Sequence, residues 1–196
     1  DELNILYEDF AKKEAIISEY IDDNFDKYAK PFMESENPRI VSHILINMDN
    51  SDKPTDEEQK KIDKINAALK DGQEFGKVAM EFSDDPQTAP QKGLLGYMDK
   101  NTEYQEEFLK SALSLKDGET GTWIKTSYGQ HLVHVESSKY EDLKKESGFV
   151  EAMMQQYPSL QMEAIWKKAK DLNIEFQDKD IEARLMKYMG IKGDKQ

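Results

Sequence analysis

Apolar positions fall into three stretches of different period along the chain. Leu3, Leu6, Phe10, Ile17, Ile21, Phe25 and Tyr28 recur at spacings close to multiples of 3.6, with no Pro or Gly between residues 3 and 29. This predicts a long amphipathic helix or a helix pair. Pro31 and the polar run Glu34, Ser35, Glu36, Asn37, Pro38 are expected to end it. The period then changes to two. Residues 39–46 alternate as a β-strand, with Val41, His43 and Leu45 on one face. A matching strand at 128–135 sets His131 beside Val133 and Val135.

Between these strands the local signals are dense. Thr55, Asp56, Glu57 and Glu58 form a capping-box pattern opening a helix that carries Ile62, Ile65 and Leu69 and stops at Asp71 and Gly72. A second short helix holds Phe75, Val78, Ala79 and Phe82. A loop at 83–93, a strand from Leu94 to Met98 and a short helix around Tyr104 to Leu113 follow. The turn at Lys116, Asp117 and Gly118 leads into an extended Thr122 to Lys125, and Ser127 to Gly129 turns into the second histidine strand. The order β-α-α-β-α-β-β predicts an α+β domain with a small antiparallel sheet of about four strands. After Ser137 the pattern is helical again, through Phe149, Val150, Met153 and Tyr157 and then Leu160, Ile165, Trp166, Ala169 and Leu172. Ile174 to Phe176 reads as extended, and Asp178 as the cap of a last helix with Ile181, Leu185 and Tyr188. The expected division is an N-terminal helical arm at 1–37, a central domain at 38–137 and a C-terminal helical arm at 138–196.

Composition narrows the function classes. A net charge of -13 in 196 residues argues against nucleic acid as a partner, because neutralising phosphates takes clustered Lys and Arg. The absence of cysteine excludes disulfides, thiolate metal sites and a thiol nucleophile. No apolar run reaches the about 18 residues that span a bilayer. The chain opens on Asp1 and not on methionine, which suggests a processed or recombinant start.

Taken alone, two strand histidines among valines read more readily as satisfied core residues than as a site. His134 lies three residues after His131 and so faces the opposite way, which argues against a local metal pair and for a structural role. Asp84, Asp85 and Pro86 also read as a plain turn initiator. The charged run at 49–64 reads as a solvated loop and helix face.

The motifs together change these odds. Ser42, His43, Ile44, Leu45; Glu81 to Pro86; Gly93 to Met98; Phe108; and Thr126 to His131 occur in an order and spacing that resembles the parvulin family of peptidyl-prolyl cis-trans isomerases over roughly residues 38–137. The resemblance implies a hydrogen-bonded floor of His43, His131 and Thr126, with Asp85 where the family has cysteine or aspartate. It places Leu95, Tyr104 and Phe108, together with Met98, at the apolar pocket for the proline ring, and Tyr128 at a variable rim. Many members carry methionine at the place of Tyr104. It implies no cofactor and no metal, since rotation about an amide breaks no bond and faces only a resonance barrier of ~18–20 kcal/mol. A negative Asp85 near the carbonyl would disfavour the planar, oxygen-negative amide. Activity is expected to change as the histidines titrate near ~6.5.

Members that require a phosphorylated residue before proline carry basic clusters in the loop after the first strand. Here residues 47–54 hold one lysine, Lys53, among acids, so no phosphopeptide preference is expected. The flanking arms resemble, more loosely, bacterial foldases of the PrsA and SurA kind. That implies a place outside the cytoplasm, in the periplasm or at the cell surface, with a lipid anchor on a segment absent here as one form of it. Three readings follow: an isomerase acting on unfolded or partly folded polypeptides with Xaa-Pro bonds during the folding of exported proteins; a chaperone-like binding module with a vestigial site; and a structural role in which the arms self-associate.

Overall fold

The structure, a computed structural model, describes residues 2–173 and 177–188, with side chains described for 11–173, 177–184, 186 and 187. The expected contacts of Leu3, Leu6, Phe10, Leu185 and Tyr188, the extended Ile174 to Phe176 and the tail after Tyr188 lie outside these residues. The helices are α1 (Glu2–Asp23), α2 (Ala29–Glu36), α3 (Asp56–Lys70), α4 (Phe75–Phe82), α5 (Glu106–Ser114), α6 (Tyr140–Leu143), α7 (Ser147–Gln156), α8 (Leu160–Asp171) and α9 (Lys179–Tyr188). The strands are β1 (Arg39–Asn47), β2 (Leu94–Met98), β3 (Ile124–Thr126) and β4 (Gly129–Ser137). Two compact units contain them, one made of residues 1–32 and 150–196, the other of residues 33–149.

The unit of residues 33–149 is α+β, built on one antiparallel sheet in the order β2-β1-β4-β3. Ile44, Ile46 and Leu132 on one face are buried with Ile62 and Ile65 of α3 and Phe75, Val78 and Ala79 of α4. On the other face Val41, Met98 and Val133 pack with Phe108 and Ala112 of α5. The α3 helix starts where its capping box predicts, with the Thr55 side chain on the Glu58 N–H and the Glu58 side chain on the Thr55 N–H. It ends before Gly72, whose φ of 82° suits the reversal. Arg39, buried at the start of β1, donates to the carbonyls of Ala112 (2.8 Å) and Leu115 (2.6 Å). It thereby places a cation at the C-terminal end of α5.

The unit of residues 1–32 and 150–196 is helical, with Ile17, Ile21, Tyr28, Phe32, Val150, Met153, Leu160, Ala164 and Trp166 buried. Its main polar contact is at Glu163 on α8, which accepts from Tyr20 (3.1 Å), Tyr28, Ser159 (2.7 Å) and Lys27 (3.1 Å). Burial and that carboxylate push the Tyr20 hydroxyl up to about 12. Asp178 caps α9 by accepting from the N–H groups of Asp180 and Ile181.

Two local expectations are corrected. Pro31 does not end a helix: it sits in the first turn of α2, where a missing N–H breaks no intrahelical bond. The polar run is helical to Glu36, and the chain leaves through Asn37 at φ 53° before Pro38. Tyr104 is also outside a helix, in the turn before α5.

Candidate active site

Sheet register explains how two distant histidines meet. His43 is opposite Val133 and Leu45 is opposite His131, so the imidazoles are diagonal neighbours on one face of the β1–β4 pair. Their rings stack with centroids 5.4 Å apart, and the two Nδ1 atoms lie 3.2 Å apart. Both side chains are buried.

The loop after α4 brings in the acid. Where β2 stops pairing with β1, Ser83 and Asp84 take over the exposed backbone groups: Leu45 N–H donates to Ser83 Oγ (3.1 Å), Asp84 N–H to Leu45 O (2.8 Å), and Asn47 N–H to Asp84 Oδ2 (3.1 Å). That stitching holds Asp85 Oδ2 at 2.8 Å from His43 Nε2. Thr88 bridges the pair, its hydroxyl 2.6 Å from Asp85 Oδ2 and 3.0 Å from His43 Nε2. At the opposite end Thr126 Oγ1 lies 2.8 Å from His131 Nε2 and accepts from the Tyr128 N–H (3.1 Å).

Electrostatics fix the direction of every proton in this chain. Burial would raise Asp85, but hydrogen bonds from Thr88, His43 and the Gln87 N–H outweigh it and hold the carboxyl down at about 2. Its oxygens are therefore acceptors only, and both Thr88 O–H and His43 Nε2–H donate to it. A neutral His43 then has a bare Nδ1, which accepts from His131 Nδ1–H. His131 Nε2 is bare in turn and accepts from the Thr126 hydroxyl. Burial lowers His43, against the pull of Asp85. Burial first, and the neighbouring His43 second, lower His131 to about 4. The expected titration near 6.5 therefore does not extend to His131, where burial and the neighbouring His43 outweigh the attraction of Asp85.

The apolar side is aromatic. Phe108 of α5 meets His43 and His131 edge-on, with centroids 5.9 and 5.5 Å away. The Tyr104 ring stacks on Phe108 at 5.0 Å. Phe108 is left 2% exposed and Tyr104 42%. Leu95 is half-buried against the Phe108 cluster. Met98 is wholly buried within the same cluster and offers no surface to a ligand, so its part is to support Phe108 from within. Tyr128 stands out at the rim, 66% exposed. Of the residues singled out from sequence, His43, Asp85, Thr126, His131, Tyr104 and Phe108 converge. Thr88 is the contact that the sequence reading omits. Its signal was a hydroxyl three residues after Asp85 in a Pro-containing turn, which the Asp85 side chain itself caps through the Gln87 N–H (3.0 Å). His134 lies on the opposite face, stacked on Phe75 at 4.7 Å.

Residues 31–139, more than half of the chain, match the PPIC-type PPIASE domain. The chain belongs to the PPIC-type PPIase family. Among similar proteins, the foldase protein PrsA of Bacillus subtilis (strain 168) is 37% identical over 161 residues, covering 80% of this chain and 51% of that protein. The foldase protein PrsA of Geobacillus sp. (strain WCH70) is 31% identical over 162 residues, covering 80% and 55%. The chain spans about half the length of the curated relatives it matches. Among solved structures, the crystal structure of PrsA from Bacillus subtilis covers 92% of this chain, and 72% of that chain is covered, at 28% identity and a TM-score of 0.46. The parvulin of Nitrosopumilus maritimus covers 50% of this chain and 94% of its own, at 31% identity and a TM-score of 0.40. All the converging residues of the site lie within the stretch matched to the PPIC-type PPIase family.

Proposed function

We propose that this chain is a peptidyl-prolyl cis-trans isomerase acting on Xaa-Pro bonds of unfolded or partly folded polypeptides, and that it assists the folding of exported proteins outside the cytoplasm. The observation that carries the reading is the continuous hydrogen-bonded chain Thr126–His131–His43–Asp85 laid against the Phe108 and Tyr104 rings. Xaa-Pro isomers differ by only ~0.5–1 kcal/mol yet exchange over tens to hundreds of seconds. Selective stabilisation of the twisted amide is therefore enough for catalysis. Tyr104 and Leu95, backed by the buried Phe108, give the pyrrolidine an apolar seat and remove the amide from water, which weakens its charge-separated planar form. The ionised Asp85 opposes negative charge on the carbonyl oxygen and so acts in the same direction. The neutral histidines and Thr126 hold that carboxylate in place, and Thr88 anchors it from the other side. In this scheme Tyr128 contributes only at the rim.

The loop after β1 supports a preference for unmodified substrates. Its Asp52 is paired with Lys125 (2.7 Å), and Ser51 O with the Gln130 amide (2.8 Å). A phosphoserine would meet the acids of this loop, where Lys125 is already paired with Asp52 and Lys53 is the one basic side chain of the loop itself. The cysteine-free composition and the similarity to PrsA foldases support a place outside the cytoplasm, and no described helix is long and apolar enough to cross a membrane. Residues 1–37 and 138–196 are proposed as arms that hold client chains or self-associate, which light scattering on the intact chain tests. The deciding experiment for the activity is a protease-coupled assay on a short Xaa-Pro peptide, comparing wild type with a folded His43→Ala. The wild type should accelerate the slow phase and His43→Ala should lose most of that. A wild-type rate equal to buffer rejects the proposal in favour of a binding module.

A further inference from the structure

A second feature lies at the opposite edge of the sheet, on the face away from His43 and His131. Residues 118–121 run along β4 before β3 begins. Gly118 N–H donates to Val135 O (2.7 Å), Val135 N–H to Glu119 O (3.1 Å) and Gly121 N–H to Val133 O (2.9 Å), with Thr120 bridged to His134. Between this bridge and the Ile124–His131 pair, residues 121–123 oppose only 132 and 133. That is a β-bulge, and it swings the outer chain away from β4. Among the described residues, the N–H and C=O groups of Thr120 and Thr122 have no main-chain partner.

Beside these groups a cavity of about 530 Å³ opens between the edge and α3. Leu69, Phe75, Trp123 and Leu132 supply its apolar walls, and no side chain lining it is Lys, Arg, Asp or Glu. Its shape is maintained by two hydrogen bonds: the Trp123 indole N–H to Asn66 Oδ1 of α3 (2.9 Å), and Thr120 Oγ1 with His134 Nδ1 (2.8 Å). Thr120 also lines the cavity, so the free main-chain groups and the apolar walls border one space.

We propose that this edge and cavity form a second polypeptide site, in which an extended segment of an unfolded chain adds as a strand beside Thr120 and Thr122 and seats an apolar side chain between Leu69 and Trp123. Thr120 and Thr122 lie two residues apart and leave their N–H and C=O groups without a main-chain partner among the described residues, the alternation with which an extended chain joins a sheet edge. Alternate side chains of such a strand point the same way, so one of them reaches the cavity. A small apolar molecule would fill the walls and leave the edge unpaired. With a net charge of -13 on the chain, the favoured segment is neutral or basic. This site does not depend on the isomerase reading.

The test uses the full chain and a proline-free probe, an acetylated and amidated Lys-Thr-Val-Phe-Val-Thr-Lys heptapeptide. At saturating probe, amide exchange at Thr120 and Thr122 should slow by about tenfold or more, and Trp123 fluorescence should shift. The resonances of His131 and Phe108 should stay in place. Thr122→Pro removes one N–H that has no main-chain partner among the described residues and none of the bonds to β4, so it should weaken binding about tenfold. If that variant unfolds, the exchange measurement on wild type decides alone. The proposal is overturned by unchanged exchange at Thr120 and Thr122 with the probe bound, by shifts gathered at His131 and Phe108, by no binding at millimolar probe, or by sedimentation showing that the edge pairs with a second copy.

Discussion

Protonating His131 should destabilise the folded chain. Free imidazole titrates at 6.5, and burial together with the adjacent His43 lowers His131 to about 4. At ~1.36 kcal/mol per pKa unit, a proton on His131 costs roughly 3 kcal/mol more in the folded chain than in the unfolded one. The sign follows from linkage. Above 6.5 the residue is neutral in both states and contributes no pH dependence. As pH falls through 6.5 the unfolded chain takes up the proton and the folded chain does not, so stability is lost progressively until about pH 4. Against a typical total of ~5–15 kcal/mol, a loss of this size is visible in a urea titration. His43 and His134 are lowered by burial as well, and towards pH 4 the lowered carboxyls of Asp85, Glu36 and Glu163 add to the effect, so the measured loss is a sum over several sites. The individual resonances separate them. NMR titration of the imidazoles from pH 8 to 3.5 should place the His131 midpoint near 4, with its proton on Nδ1 and that of His43 on Nε2. Turnover should show no step at 6.5, because both site histidines are lowered. A His131 midpoint close to 6.5, or a neutral His131 protonated on Nε2, would refute the derived proton order.

Asp85→Ala should lose most of the turnover while folding normally, and full turnover would remove the electrostatic role of the carboxylate. Gly93→Ala should destabilise the chain by roughly 3 kcal/mol or more in urea unfolding, because Gly93 is at φ 78° and an added Cβ would lie 2.3 Å from the His43 carbonyl. A stability equal to wild type would show that β1 and the 92–93 turn can separate freely. Tyr104→Ala uncovers the Phe108 ring, so KM for an Xaa-Pro peptide should change several-fold; an unchanged KM would mean that Tyr104 takes no part in the pocket. Glu163→Gln removes the charge from an acceptor shared by Tyr20, Tyr28, Ser159 and Lys27. It should cost ~1–3 kcal/mol, seen as faster amide exchange in residues 1–32 and 150–173, and unaltered exchange there would contradict the role given to that carboxylate.

Signals confined to a few neighbouring residues were legible in the chain. The Thr55 capping box, the Gly72 stop, the Asp178 cap and the alternation of both histidine strands each depend on interactions within one turn or one pleat, so local sequence contains all the terms. Pro31 and Tyr104 depart from the local expectation because their states depend on where the neighbouring chain begins its helix. Thr88 is not marked by local sequence, because a threonine in a turn gains its role only when His43 arrives from a distant strand.

Sequence alone determined the α+β order of elements, the face on which each histidine lies, and the set of residue types that resembles a bond-rotating site. Tertiary structure decided the rest. Register made His43 and His131 diagonal neighbours, and the handover of β1 from β2 to Ser83 and Asp84 aimed Asp85 at Nε2. Burial then lowered the histidines while three donors kept Asp85 ionised. The physical reason is range: backbone propensity and side-chain alternation act over a few residues, whereas desolvation and proton order depend on groups that only the folded sheet brings within hydrogen-bond distance.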